Sequence, residues 1–107
     1  MSTINDREKG FEGKFVHDQE LEFKANARRN KLLGLWAGEL MGLSGQDLER
    51  YAADVVKSDF EEAGHEDVFR KIRGDFDAKG VAQSDHQIRR HMDELLVEAR
   101  RQIAETG

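Results

Sequence analysis

The densest chemistry in this 107-residue chain lies between Phe23 and Leu33, in the stretch "FKANARRNK" and its flank. Lys24, Arg28, Arg29 and Lys31 stand there with no acid among them, a local charge of +4 in a chain whose formal charge is −5. Guanidinium forks at Arg28 and Arg29, with the Lys31 ammonium nearby, are groups that could hold a phosphate or a carboxylate. The alternative is structural: residues 46–67 carry −6, so the basic run could simply attract an acidic second helix. The chain has no GxxxxGK[ST] and no GxGxxG, so a phosphate contact here is not a P-loop.

Other chemistry is harder to assemble. His17, His65, His86 and His91 form no HExxH pattern. In "DFEEAGHED" the residues Asp59, Glu61, Glu62, His65, Glu66 and Asp67 crowd together, but without the regular oxygen spacing of a calcium loop. Carboxylates at helix ends explain them, and no metal is expected. There is no cysteine and no Ser/His/Asp set, so nucleophilic catalysis has no framework. The expectation is a protein that is not an enzyme and has no catalytic residues.

The elements that must position these groups are helical. The charged fraction is 36% and the apolar fraction 37%, proline is absent, and Val, Ile, Thr and Tyr are sparse. Leu21, Ala25, Leu32, Leu33, Trp36, Ala37, Leu40 and Met41 predict a first helix from Asp18, its candidate cap, to about Gly42. Gly34, Gly38 and Gly42 lie four apart along it, a spacing that lets another helix approach closely. A second helix follows Ser44, with Asp47 as a short partner in a capping box and Gly64 as its stop. Leu48, Tyr51, Ala52, Val55 and Val56 form its buried face. A third helix, from about His65 or Glu66 to Lys79, buries Val68, Phe69, Ile72 and Phe76. Ser84 and Gln87 make a capping box for a fourth, striped by Ile88, Met92, Leu95, Leu96, Ala99 and Ile103. The expected fold is all-α: a compact four-helix bundle over residues 18–107, preceded by a flexible N-terminal arm, residues 1–17.

The bulk properties bound the setting. No apolar run resembles a signal peptide or a span of roughly 20 residues, so no membrane insertion and a cytoplasmic location are expected. The acidic balance argues against nucleic acid as the main partner. The protein is expected to be monomeric when alone.

The wording of the chain adds a resemblance. "DREKGFEGKFVHDQELEFKANARRNKLLGLWAGELMG" and "YAADVVKSDFEEAGHEDVFRKI" closely resemble the zeta subunit family of alphaproteobacteria, intrinsic inhibitors of the F-type ATP synthase. The likeness covers about residues 5 to 77, and "FKANARRNKLLG" and "SDFEEAGHEDVFRK" carry most of it. It implies a four-helix fold whose N-terminal arm enters a catalytic interface of the synthase head, folds into helix there and blocks ATP hydrolysis. It implies a protein peripheral to the inner membrane through that enzyme, and weak ATP or ADP binding by the bundle without any tightly held cofactor. On charge alone, Arg28, Arg29 and Lys31 are the expected phosphate contacts.

An arm of this kind has coherent physics. Phe11 and Phe15 stand one helical turn apart and could anchor in a groove, while Asp6, Arg7, Glu8, Lys9 and Lys14 pair with its walls. Gly10 and Gly13 each cost about 1 kcal/mol in a helix. The alternative reading is therefore a nucleotide-sensing bundle or generic helical adaptor in which inhibition is weak or vestigial.

Overall fold

The computed structural model describes residues 2–59 and 66–106, with side chains described for 19–59 and 66–105. Four helices follow in order: α1 (Ser2–Leu40), α2 (Gly45–Ser58), α3 (Glu66–Lys79) and α4 (Asp85–Thr106). There is no strand among the described residues. The all-α, four-helix class expected from composition is what is found. α1 packs mainly on α2 and α4, and α3 completes the bundle against the other three.

The helix ends follow the local chemistry of the chain. Past Leu40, Gly42 takes φ +84. The Leu43 N–H donates to the Gly38 carbonyl at 2.9 Å, and the Gly42 N–H to the Glu39 carbonyl at 3.0 Å. This pair of bonds closes α1 as a Schellman motif, which needs the left-handed residue that glycine supplies. Gly80 (φ +72) does the same for α3, where the Val81 N–H reaches the Phe76 carbonyl at 2.9 Å. Val81 itself packs against the core. At α4 the reciprocal box forms as expected: the Gln87 N–H donates to Ser84 Oγ at 3.1 Å, and the Ser84 N–H to Gln87 Oε1 at 2.8 Å.

The box expected at α2 does not form. Ser44 is the N-cap residue in an extended conformation but makes no side-chain cap hydrogen bond. Asp47 is one methylene shorter than the Glu or Gln that normally reaches back to the cap N–H. α2 closes at Ser58, with Asp59 as its cap residue; Gly64, the expected stop, lies outside the described residues. Nor does α1 begin at Asp18. It runs as one helix from Ser2, through the expected boundary at residue 18. Side chains 1–18, the expected arm included, lie outside the described residues.

The core cluster is Leu33, Ala37, Val55, Val68, Phe69, Ile72, Phe76, Ile88 and Met92. It draws on all four helices, and α3 inserts all four residues predicted for its face. Trp36 meets the Phe76 ring edge-on at 5.6 Å between centroids and stacks on His91 at 4.1 Å. The glycine row on α1 divides by role. A Cβ on Gly34 would sit 2.7 Å from Ala52 Cα, and one on Gly38 2.5 Å from Leu48 Cδ1. These two glycines let α2 lie against α1, whereas Gly42 serves the turn.

The outward face of α1 and the seam beside α4

A helix turns about 100° per residue, so neighbours in the basic run cannot share a face. Lys24, Arg28 and Lys31 stand at i, i+4 and i+7 and all three are exposed. Arg29 stands at i+4 from Ala25 and at i−4 from Leu33, both buried, and is itself only 3% exposed. The three expected phosphate contacts are therefore split. Arg28 and Lys31 face outward together, and Arg29 turns into the bundle.

The Arg29 guanidinium is held within a polar seam. Its Nε donates to Asn30 Oδ1 at 2.7 Å, and Asn30 is fully buried. Burial pushes the Arg29 guanidinium below its ordinary range, and the charges of Asp59 and Asp93 act in the opposite direction. A turn earlier on α1, Asn26 Oδ1 is buried without a hydrogen-bond partner among the described residues, as is Asn30 Nδ2. Beside the seam lies a cleft of about 270 Å³ lined by Arg29, Arg89, Met92, Asp93 and Leu96.

Arg89 is already engaged. It forks onto Glu66 at 2.9 and 3.0 Å and lies over the Phe69 ring, 3.9 Å from its centroid. The bond from Arg89 holds the Glu66 carboxyl below its usual range. The acids at the start of α3 thus serve ion pairs, with Asp67 beside Arg70 at 3.7 Å. No group of three or more metal-ligating side chains forms among the described residues. Glu61, Glu62 and His65 lie outside them, as does His17.

Further toward its N-terminus, α1 is tied to the end of α4. Arg100 reaches Glu22 with Nη2 at 2.5 Å and Nε at 3.1 Å, and Arg28 Nε donates to Gln102 Oε1 at 2.7 Å. Leu21, Glu22, Ala25, Arg100, Ile103 and Ala104 line a groove of about 270 Å³ at this junction. The candidate arm residues, Asp6, Arg7, Glu8, Lys9, Phe11, Lys14 and Phe15, precede it on α1, and their side chains lie outside the described residues.

Sequence reasoning missed Asn26, Asn30, Arg89 and Asp93. The position of Arg29 was recoverable, because the Ala25–Leu33 stripe passes through it. The asparagines carry no comparable signal, since polar residues are normally assigned to the outside of a helix.

Comparison with known proteins now bears on this arrangement. A family model described as ATPase inhibitor subunit zeta matches residues 1–102. A solved structure, described as the solution NMR structure of a protein, is 48% identical with a TM-score of 0.71. The match covers 81% of this chain and 99% of that one. No curated protein matches the chain.

Proposed function

From the premise that this chain belongs to the ATPase inhibitor subunit zeta family, we propose that it restrains ATP hydrolysis by the F-type ATP synthase by inserting its N-terminal arm into the catalytic head. The family assigns an inhibitory, regulatory role rather than a catalytic one, with the ATP synthase as partner. The observation that carries the finer reading is the extent of the match. It begins at residue 1 and so includes the arm along with the bundle. The continuity of α1 from Ser2 supports it, because a helix is a form in which an arm can lie in a groove.

In this mechanism Phe11 and Phe15, one turn apart, anchor in the apolar floor of a cleft. Asp6, Arg7, Glu8, Lys9 and Lys14 pair with its walls. The bundle holds the base of the arm through Glu22 and Arg100. No described helix is long and apolar enough to cross a membrane. The test is ATP hydrolysis by the matched synthase head with the full chain and with residues 1–16 deleted. Loss of inhibition on deletion is expected; equal activity in both rejects an inhibitory arm.

A second reading, adenine-nucleotide binding by the bundle, rests on the cleft beside Arg29. Arg29 and Arg89 offer two cationic forks, and Met92 and Leu96 an apolar wall for a ring. Asp93 in the same cleft and Glu66 on Arg89 oppose an anion, so the fit is partial. NMR titration with ATP, ADP and inorganic phosphate decides it. Shifts at Arg29 and Met92 with nucleotide, and not with phosphate, support the site; equal shifts with all three remove it.

A further inference from the structure

We propose that Lys24, Arg28 and Lys31 form a docking stripe for an acidic protein surface on the same partner that receives the arm. This rests on the reading above and names a second contact for it. The three side chains lie on one exposed face of α1. Arg73, Arg89, Arg90, Arg100 and Arg101 each hold a carboxylate within 4 Å. On the stripe, by contrast, Arg28 bonds only the neutral Gln102, and Lys24 and Lys31 form no ion pair among the described residues.

The acidic second helix does not neutralise the stripe. Of the basic run, the member influenced by an acid near the end of α2 is Arg29, through Asp59. Asp47, Glu49 and Asp54 are exposed, and none pairs with the stripe. Two acids come near it. Glu20 lies one turn before Lys24 and is exposed, and Glu98 holds Arg101 and Gln102. A residual positive face remains on an otherwise acidic molecule.

Unpaired cations need break no internal ion pair when they meet a partner, and they steer encounter through the field they project. Their position fixes which partner. The stripe spans about 10 Å of the helix that carries the arm, and it begins about 9 Å beyond Asp18. A cleft that accepts the arm therefore brings its outer rim against Lys24, Arg28 and Lys31. An acidic rim is the complementary surface. The overall charge of −5 disfavours nucleic acid and anionic lipid as the occupant.

The experiment uses the full chain, the triple variant Lys24→Glu/Arg28→Glu/Lys31→Glu, and the matched synthase head. Association and dissociation rates are measured at about 50 mM and about 300 mM salt, where screening differs strongly. Association is expected to slow at least about 10-fold at low salt, with the gap narrowing at high salt and dissociation changing less. Lys24→Arg/Lys31→Arg should retain the wild-type rate, and circular dichroism should show the triple variant folded.

An unchanged association rate at both salts overturns the stripe, while loss of inhibition on deleting residues 1–16 leaves the arm reading standing. If the deletion retains inhibition but the triple variant binds slowly, the arm reading fails and the stripe survives. No association of the wild-type chain with the head sinks both. Anionic vesicles and duplex DNA serve as further probes, and tighter charge-dependent binding to either than to the head overturns the choice of a protein partner.

Discussion

Residues 33–40 of α1 meet α2 through glycines and aliphatic side chains, whereas residues 21–28 add charged and amide bonds to their contact with α4. At Gly34 the two backbones approach so closely that a Cβ would lie 2.7 Å from Ala52 Cα. At Glu22 and Arg28 the contacts are reached by long side chains, Arg100 and Gln102, that are partly in water. Close apolar packing has little dependence on salt and fails all at once. Exposed ion pairs are each worth little and weaken as salt rises. One helix thus combines a fixed segment, residues 33–40, with a segment, residues 21–28, whose hold on the bundle is adjustable, and the adjustable segment lies nearer the proposed arm.

The largest effect should come from the core that the fixed segment packs against. Phe76 is fully buried beneath Trp36, so Phe76→Ala should cost about 3–5 kcal/mol in chemical denaturation. Next is Gly34→Ala. Alanine gains about 1 kcal/mol of helix propensity, but the new Cβ meets backbone that cannot swing aside, and overpacking costs about 1–3 kcal/mol. A net loss is expected at Gly34. Gly38→Ala should be milder, because its obstacle is the movable tip of Leu48. Equal effects at the two glycines would remove the distinction between a fixed backbone contact and an adaptable one.

At the adjustable segment's contact with α4, Arg100→Gln should change global stability by less than about 1 kcal/mol. Amide exchange across residues 19–25 should rise by up to about 5-fold, with residues 33–40 unaffected. About 0.5 M salt should produce the same local loosening in the wild type. Exchange that rises equally in both segments would show that α1 responds as one unit.

The smallest effect concerns pH. The Arg101 guanidinium and the Gln102 amide hold Glu98 down to about 2, from an ordinary value near 4.5. A depressed carboxyl stabilises the folded state above its unfolded pKa and loses that contribution as pH falls through its folded pKa. The end of α4 should therefore loosen between about pH 4.5 and 2. Arg101→Gln should move the Glu98 carboxyl, followed by NMR, back toward its ordinary range. An unmoved titration would mean that Arg101 does not set it.

The helical elements were legible because their signals are local. Val68, Phe69, Ile72 and Phe76 announce one face of α3, and Ser84 with Gln87 announces the start of α4. Ser44 with Asp47 looked similar, but the Ser44 side chain makes no cap hydrogen bond. The split of the basic run was half legible: the 3.6-residue period separates Arg29 from Arg28 and Lys31, but composition lumps them together. The pairing of Arg100 with Glu22 was not legible at all, because residues 78 positions apart meet only after the bundle closes.

Trp36 is the chain's single tryptophan, and it lies in the fixed segment of α1, against Phe76 and His91. The molecule therefore carries its own optical probe, and that probe is placed to see melting of the core. If the arm docks as proposed, the Trp36 emission should stay constant as it does so. Fluorescence can then certify that a weakened variant is still folded, and a loss of inhibition with unchanged emission would point to the proposed interface rather than to the core.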